Sequence, residues 1–150
     1  MHCAVTRFSS IVGPDTCASG SSSRRSRTST VDERDVAAVA VLALTRPRHA
    51  GRTYLLTGEQ SLSQPEKVAE IGEAGRTLSF VEAAPEEIRR GMLAAGLPDE
   101  VPERLLGSLA DYAREAGPTS DDVRRLLGRP ARAYATWASE HHADFAGGGS

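Results

Sequence analysis

Lysine is nearly missing from this chain. Lys67 is the only one, against seventeen arginines, so any chemistry that needs a lysine rests on that position alone. Cysteine is almost as scarce. Cys3 and Cys17 are the two present, which excludes a disulfide scaffold and a multi-cysteine zinc site. No apolar run approaches the roughly 18 residues of a membrane-spanning helix. Charge of one sign is also lacking: the formal net charge is −2 and the pI about 6.1, which recommends neither nucleic acid nor a membrane surface as a partner.

What is present suits one domain. The chain has 150 residues, 39% of them apolar, enough for a real core. It divides near residue 30. Residues 1–30 hold eight serines, four arginines and one acid, Asp15. They show no helical or strand period after Val12 and lack the 7–15-residue apolar stretch of a signal peptide. Such a segment buries too little to offset its ordering entropy, and it is expected to be disordered. Arg24, Arg25 and Arg27 read as a solvated charge run. Residues 31–146 are expected to form the folded unit, and 147–150 a frayed tail.

Regular signals begin at Val31. Asp32 is suited to cap a helix whose body, Val36–Leu44 (VAAVAVLAL), is apolar almost all the way round. A surface helix shows one apolar stripe, so this one expects cover on several sides. Arg52–Gly58 (RTYLLTG) reads as a strand. Ser63-Gln-Pro-Glu66 has the spacing of a capping box and opens a helix that buries Val68 and Ile71. Thr77–Glu82 reads as a second short strand, and Pro85 starts a helix that closes at Gly96. Residues 101–116 carry a stripe of Leu105, Leu109 and Tyr112. Thr119 or Ser120 caps a short helix over Asp121–Leu127. The last helix places Tyr134, Trp137, Ala138, His141 and Phe145 on one face.

Candidate chemistry is thin. Closely spaced glycines between a strand and a helix, which let a backbone approach a pyrophosphate, are missing; Gly72 and Gly75 sit at a helix end. No Gly-Lys pair exists for a P-loop. The tyrosine-plus-lysine pair of short-chain reductases is missing too, since Tyr54, Tyr112 and Tyr134 are followed four residues on by Gly58, Ala116 and Ala138. His141 and His142 point about 100° apart on a helix and cannot chelate jointly. Asp121 and Asp122 read as a charged helix N-terminus. Arg89-Arg90 and Arg124-Arg125 read as solvated faces. Cys3 and Cys17 have no supporting histidine constellation, His2 being adjacent to Cys3 without a third group. No catalytic residue and no metal ligand is assigned.

Four segments in order nevertheless resemble one family. VDERDVAAVAVLAL at 31–44 is similar to an Asp-capped helix of the NmrA-like proteins, the atypical short-chain dehydrogenase/reductase group. AGRTYLLTGEQSLS at 50–63 is similar to that group's Tyr-x-Leu-Thr-Gly strand and Ser-capped helix. GRTLSFVEAAPEEIRRGMLAAGLP at 75–98 resembles its next strand and the helix ending Ala-Gly-Leu-Pro. TSDDVRRLLGRPARAYATWASEHHADF at 119–145 resembles its Gly-Arg-Pro segment and final helix. The family commonly has a leucine between Ala74 and Gly75 that this chain lacks.

The resemblance implies the C-terminal, mostly helical, substrate-side half of an α/β Rossmann-type NAD(P)-binding fold, with two or three short strands. It implies NAD(P) as cofactor, although the half that carries the family's glycine loop has no counterpart in these residues. A truncated oxidoreductase-like protein without activity as this chain alone is the leading expectation. The alternatives are a non-enzymatic redox-sensing or interaction module, and a degenerate gene product. Thr119–Asp122 and the loop after Leu97 are the segments favoured to line a ligand surface. A cytoplasmic location is expected. So is self-association, or a partner chain, to cover the apolar helix 36–44.

Overall fold

A computed structural model describes residues 16–20, 24–73 and 78–143. Six helices and four short strands make up these residues: β1 Thr16–Gly20, β2 Arg27–Thr28, α1 Glu33–Thr45, β3 Leu62–Ser63, α2 Gln64–Glu73, β4 Ser79–Ala83, α3 Pro85–Ala94, α4 Glu100–Arg114, α5 Asp122–Leu127 and α6 Tyr134–Glu140. The class is α/β and mostly helical, as the sequence implies. β1 pairs in parallel with β4, from Thr16 opposite Ser79 to Gly20 opposite Ala83. β2 pairs antiparallel with β3, Arg27 opposite Ser63 and Thr28 opposite Leu62.

Two expectations need correction. Within 1–30, expected to be disordered, the described residues form strands β1 and β2, and Ser26 is buried. The boundary near residue 30 therefore falls inside the folded unit. Thr16–Gly20 and Arg27–Thr28 are strands because distant residues pair with them, which local composition cannot show. Residues 1–15, with His2 and Cys3, lie outside the described residues. So do 21–23, 74–77 and 144–150, and with them the Ala74–Gly75 departure, Phe145 and the expected tail.

Arg52–Gly58 is the second correction: it is no strand. Strand-forming side chains need a neighbouring strand, and among the described residues none pairs with 53–57. Side chains and one loop hold the segment instead. Leu55 N donates to Asp122 Oδ2 at 2.8 Å, Thr57 Oγ1 accepts from Ser120 N at 2.9 Å, and Gly58 N donates to Ser29 O at 3.1 Å.

The helix signals hold. Asp32 caps α1 through Arg34 N at 2.8 Å. The Ser63–Glu66 box is present: the Glu66 carboxylate accepts from Ser63 N and Ser63 Oγ at 2.7 Å, and Ser63 Oγ accepts from Glu66 N at 3.4 Å. Ser120 Oγ accepts from Asp122 N at 3.0 Å at the start of α5. Gly128 closes α5 in the left-handed conformation that glycine adopts without strain. The core is where α2 meets α6: Ile71, Tyr134 and Ala138, with Leu62, Leu78 and Trp137 packed around them.

Helix α1 is inverted relative to an ordinary amphipathic helix. Its inward face carries Asp35, 0% exposed, beside Val39. Val41 and Leu44 are 61% and 87% exposed, and Val36 and Ala40 are exposed with them. Asp35 accepts from Arg129 Nη2 and from Arg132 N, each at 2.7 Å. Asp32 accepts from Arg132 Nε at 3.1 Å. An acid–arginine clasp, beside the buried Val39, joins α1 to residues 129–132.

Candidate functional site

Lys67 lies inward on α2, 4% exposed, because positions 67, 68 and 71 share one helix face. Its ammonium donates to Thr28 Oγ1 at 2.6 Å and Thr30 Oγ1 at 2.7 Å, and sits 5.8 Å from the centre of the Tyr134 ring. That distance is within cation–π range. Strand β2 brings Thr28, the residues just after it Thr30, α2 the lysine and α6 the tyrosine.

A cleft of about 210 Å³ opens next to this corner, lined by Thr30, Gly58–Gln60, Leu62 and 131–134. Its polar wall is Arg132, which bonds Asp32 and places Nη2 2.7 Å from Glu140 Oε1. Arg34 lies 2.5 Å from the other Glu140 oxygen, and that hydrogen bond holds the Glu140 carboxyl below the usual carboxylate range. Glu59, also in the lining, accepts from Arg124 at 2.7 Å. Gly58, in the lining, has no room for a side chain, since a Cβ there would stand 2.3 Å from the Thr30 carbonyl oxygen. The cleft is smaller than the ~300–1,000 Å³ typical of small-molecule sites. Its charged lining residues, Glu59 and Arg132, are already paired.

The segments favoured from sequence are elsewhere. Thr119–Asp122 do not line the cleft: Thr119 Oγ1 meets Ser29 Oγ at 2.8 Å, and Asp122 binds Leu55 N and the Arg125 guanidinium. The chain after Leu97 turns into α4, with Val101 N donating to Pro98 O at 3.0 Å. His141 Nδ1 lies 2.9 Å from Trp137 O, and its ring stacks on Trp137 with centroids 4.7 Å apart. His142 Nδ1 lies 2.9 Å from Ser139 O. Arg89 lies 3.8 Å from Glu103. Among the described residues no group of three histidines, cysteines or acids could hold a metal ion, and no helix is long and apolar enough to cross a membrane. Sequence reasoning singles out Lys67 only as the chain's one lysine and misses Thr28, Thr30 and Arg132. The one available signal was a lone lysine on the same helical face as Val68 and Ile71.

Whether these residues fit a dinucleotide is decided at the helix N-termini, where a pyrophosphate needs free N–H groups beside a strand. Three described strand-to-helix turns exist, and a carboxylate of the chain fills each. Asp32 caps α1, Glu66 caps the β3–α2 turn, and Glu87 Oε2 accepts from Ala84 N at 3.0 Å ahead of α3. Pro85 removes a further donor from α3. The described residues do not fit the pyrophosphate.

No family model matches the chain. It is 38% identical over 122 residues to an NAD(P)H azoreductase of Xenophilus azovorans, covering 79% of this chain and 42% of that protein. It is 40% identical over 119 residues to a (4-alkanoyl-5-oxo-2,5-dihydrofuran-3-yl)methyl phosphate reductase of Streptomyces griseus, covering 77% and 42%. The chain thus spans under half the length of the curated relatives it matches. Among solved structures it is similar to an NADPH-dependent quinone oxidoreductase of Escherichia coli (TM-score 0.70, 18% identity, 89% of this chain and 49% of that one). It is also similar to a triphenylmethane reductase of Citrobacter sp. (TM-score 0.67, 21% identity, 87% and 45%). These structures show the fold: this chain matches about half of a Rossmann-type reductase.

Proposed function

We propose that this chain, similar to the C-terminal half of NmrA-like, atypical short-chain reductases, is the substrate-side part of an NAD(P)-dependent reductase. By itself it does not transfer hydride. The observation that carries the reading is asymmetric coverage: 79% of this chain aligns with only 42% of an NAD(P)H-dependent relative. The three acid-filled helix N-termini support it, since they leave the cofactor phosphates to be held outside the described residues. So does the 52–58 segment, whose strand-forming side chains have no strand beside them among the described residues.

Bound NAD(P)H would supply the hydride. The residues of this chain would supply one wall against the acceptor: Arg132 fixed by Asp32 and Glu140, the Tyr134 ring fixed by Lys67, and the narrow backbone at Gly58. The acceptor class proposed is a conjugated molecule such as the quinone or azo compounds named for the relatives, and the location proposed is the cytoplasm. The exposed α1 face favours a second reading, a non-catalytic interaction module.

The test is a thermal melt with and without millimolar NADPH, with NADPH oxidation followed in the presence of a quinone or an azo dye. No shift and no turnover are expected. A ligand at a hundredfold excess over Kd adds about 2.7 kcal/mol and moves the midpoint by several degrees. A saturable shift of that size, or dye-dependent oxidation, would overturn the reading.

A further inference from the structure

The outward face of α1 is apolar along its whole length and ends in opposite charges. At about 100° per residue, Glu33, Val36, Ala37, Ala40, Val41 and Leu44 fall within one arc. Asp35, Val39 and Leu42 fall on the opposite arc, which packs inward or is half-buried. Single exposed leucines need no explanation, but a continuous apolar stripe on one helix does.

Glu33 heads the stripe at the helix N-terminus; its carboxylate lies 3.8 Å from His141 Nε2 and its side chain is half exposed. Arg46, Arg48 and Arg52 follow the C-terminus with no acid between residues 45 and 52. Among the described residues these three arginines make no ion pair.

We propose that this face is occupied by a second copy of the same chain, with the two α1 helices packed antiparallel about a two-fold axis at Ala40. The proposal is independent of the reductase reading, and three features of α1 argue for it. Antiparallel pairing about Ala40 sets Val36 and Ala37 of one helix against Leu44 of the other, so one stripe covers its own image. It sets Glu33 against Arg46 and Arg48 of the second copy at both ends, and it opposes the helix dipoles. Alanine at positions 37 and 40 lets the backbones approach to the 8–10 Å spacing of packed helices. A parallel pair would instead set Glu33 against Glu33 and arginine against arginine.

A 13-residue helix is about 20 Å long, so the buried area is at the low end of specific interfaces. The dimer is therefore weak and dependent on concentration. It closes on itself and does not extend to a fibre, because both stripes are used.

Sedimentation velocity and light scattering on the full chain, from about 1 to 200 μM, test this. The expected result is a reversible rise from the 15.9 kDa monomer to twice that mass and no further. Val41→Glu should weaken association at least tenfold with an unchanged far-UV circular dichroism spectrum. Because position 41 is solvent-exposed in the monomer, the fold should tolerate the change. Glu33→Arg alone should weaken association, and Glu33→Arg combined with Arg46→Glu and Arg48→Glu should restore it. That rescue cannot come from a nonspecific apolar contact. A monomer at every concentration would overturn the proposal, as would growth beyond the dimer, a dimer indifferent to Val41→Glu, or a triple charge swap that fails to restore pairing.

Discussion

Asp35→Ala is the substitution that examines the inverted helix most directly. The carboxylate is 0% exposed and accepts two hydrogen bonds of 2.7 Å, from the Arg129 guanidinium and from the Arg132 backbone amide. Alanine removes both acceptors and leaves the amide without a partner in a site closed to water. A hydrogen bond to a buried charged group contributes about 1.5–3 kcal/mol. The arginine share is smaller, because the Arg129 side chain is 44% exposed and water already screens it, so it adds about 1 kcal/mol at most. The expected loss is about 2–4 kcal/mol.

At roughly 3–5 °C per kcal/mol for a chain of this length, the melting midpoint falls by about 6–20 °C. The assay is a far-UV circular dichroism melt at one low, fixed protein concentration, so that association does not contribute. Asp111→Ala is the control. Its partner Arg114 lies 3.1 Å away, and both side chains are largely in solvent, so no measurable change is expected. If Asp35→Ala melts within about 2 °C of the wild type, the clasp does not hold α1. The helix would then owe its place to contacts of Val39 and its neighbours.

Three further outcomes follow from the same geometry. Gly58→Ala should destabilise by about 1–3 kcal/mol or more in a urea titration, because the new methyl meets the Thr30 carbonyl oxygen at 2.3 Å and the two backbones are tied by the Gly58–Ser29 hydrogen bond. Glu70→Gln should raise the melting midpoint at pH 7. Burial, with Glu73 and Glu66 nearby, pushes the Glu70 carboxyl up, so its ionised form costs stability above its folded pKa; the gain should shrink as pH falls below the ordinary glutamate range. Glu66→Gln should do the reverse. Hydrogen bonds from Ser63 N and Oγ hold Glu66 down, so its contribution is full above its unfolded pKa and disappears as pH falls through the folded one. The two melts should therefore differ at pH 7 and converge toward pH 3.

The parts of the fold that were legible in the sequence are those whose causes are local. Asp32, the Ser63–Glu66 box, Ser120 and Gly128 act within four residues of themselves, and the structure places each helix end where those residues imply. Strands were less legible, because a strand is a relation between two segments. Arg52–Gly58 has the side chains of a strand and no partner among the described residues, while Thr16–Gly20 has a serine- and glycine-rich neighbourhood and pairs with Ser79–Ala83. The cleft was illegible for the same reason. Thr30, Gly58, Arg132 and Tyr134 are brought together across a hundred positions of chain, and no spacing rule connects them.

Helix α1 falls between these cases. Its all-round apolar body was visible, and so was the inference that it wants cover on more than one side. What periodicity could not tell was which arc faces inward. An apolar arc and an arc carrying Asp35 compete for the interior, and hydrophobic burial alone would turn the valines and leucine in. The outcome is set by arginines almost a hundred residues away: Arg129 and Arg132 offer the buried acid partners that no residue near α1 supplies. With Asp35 held inward, geometry leaves Val36, Ala40, Val41 and Leu44 outward. The charge pair that holds Asp35 inward is thus also the reason an apolar arc of α1 is left exposed.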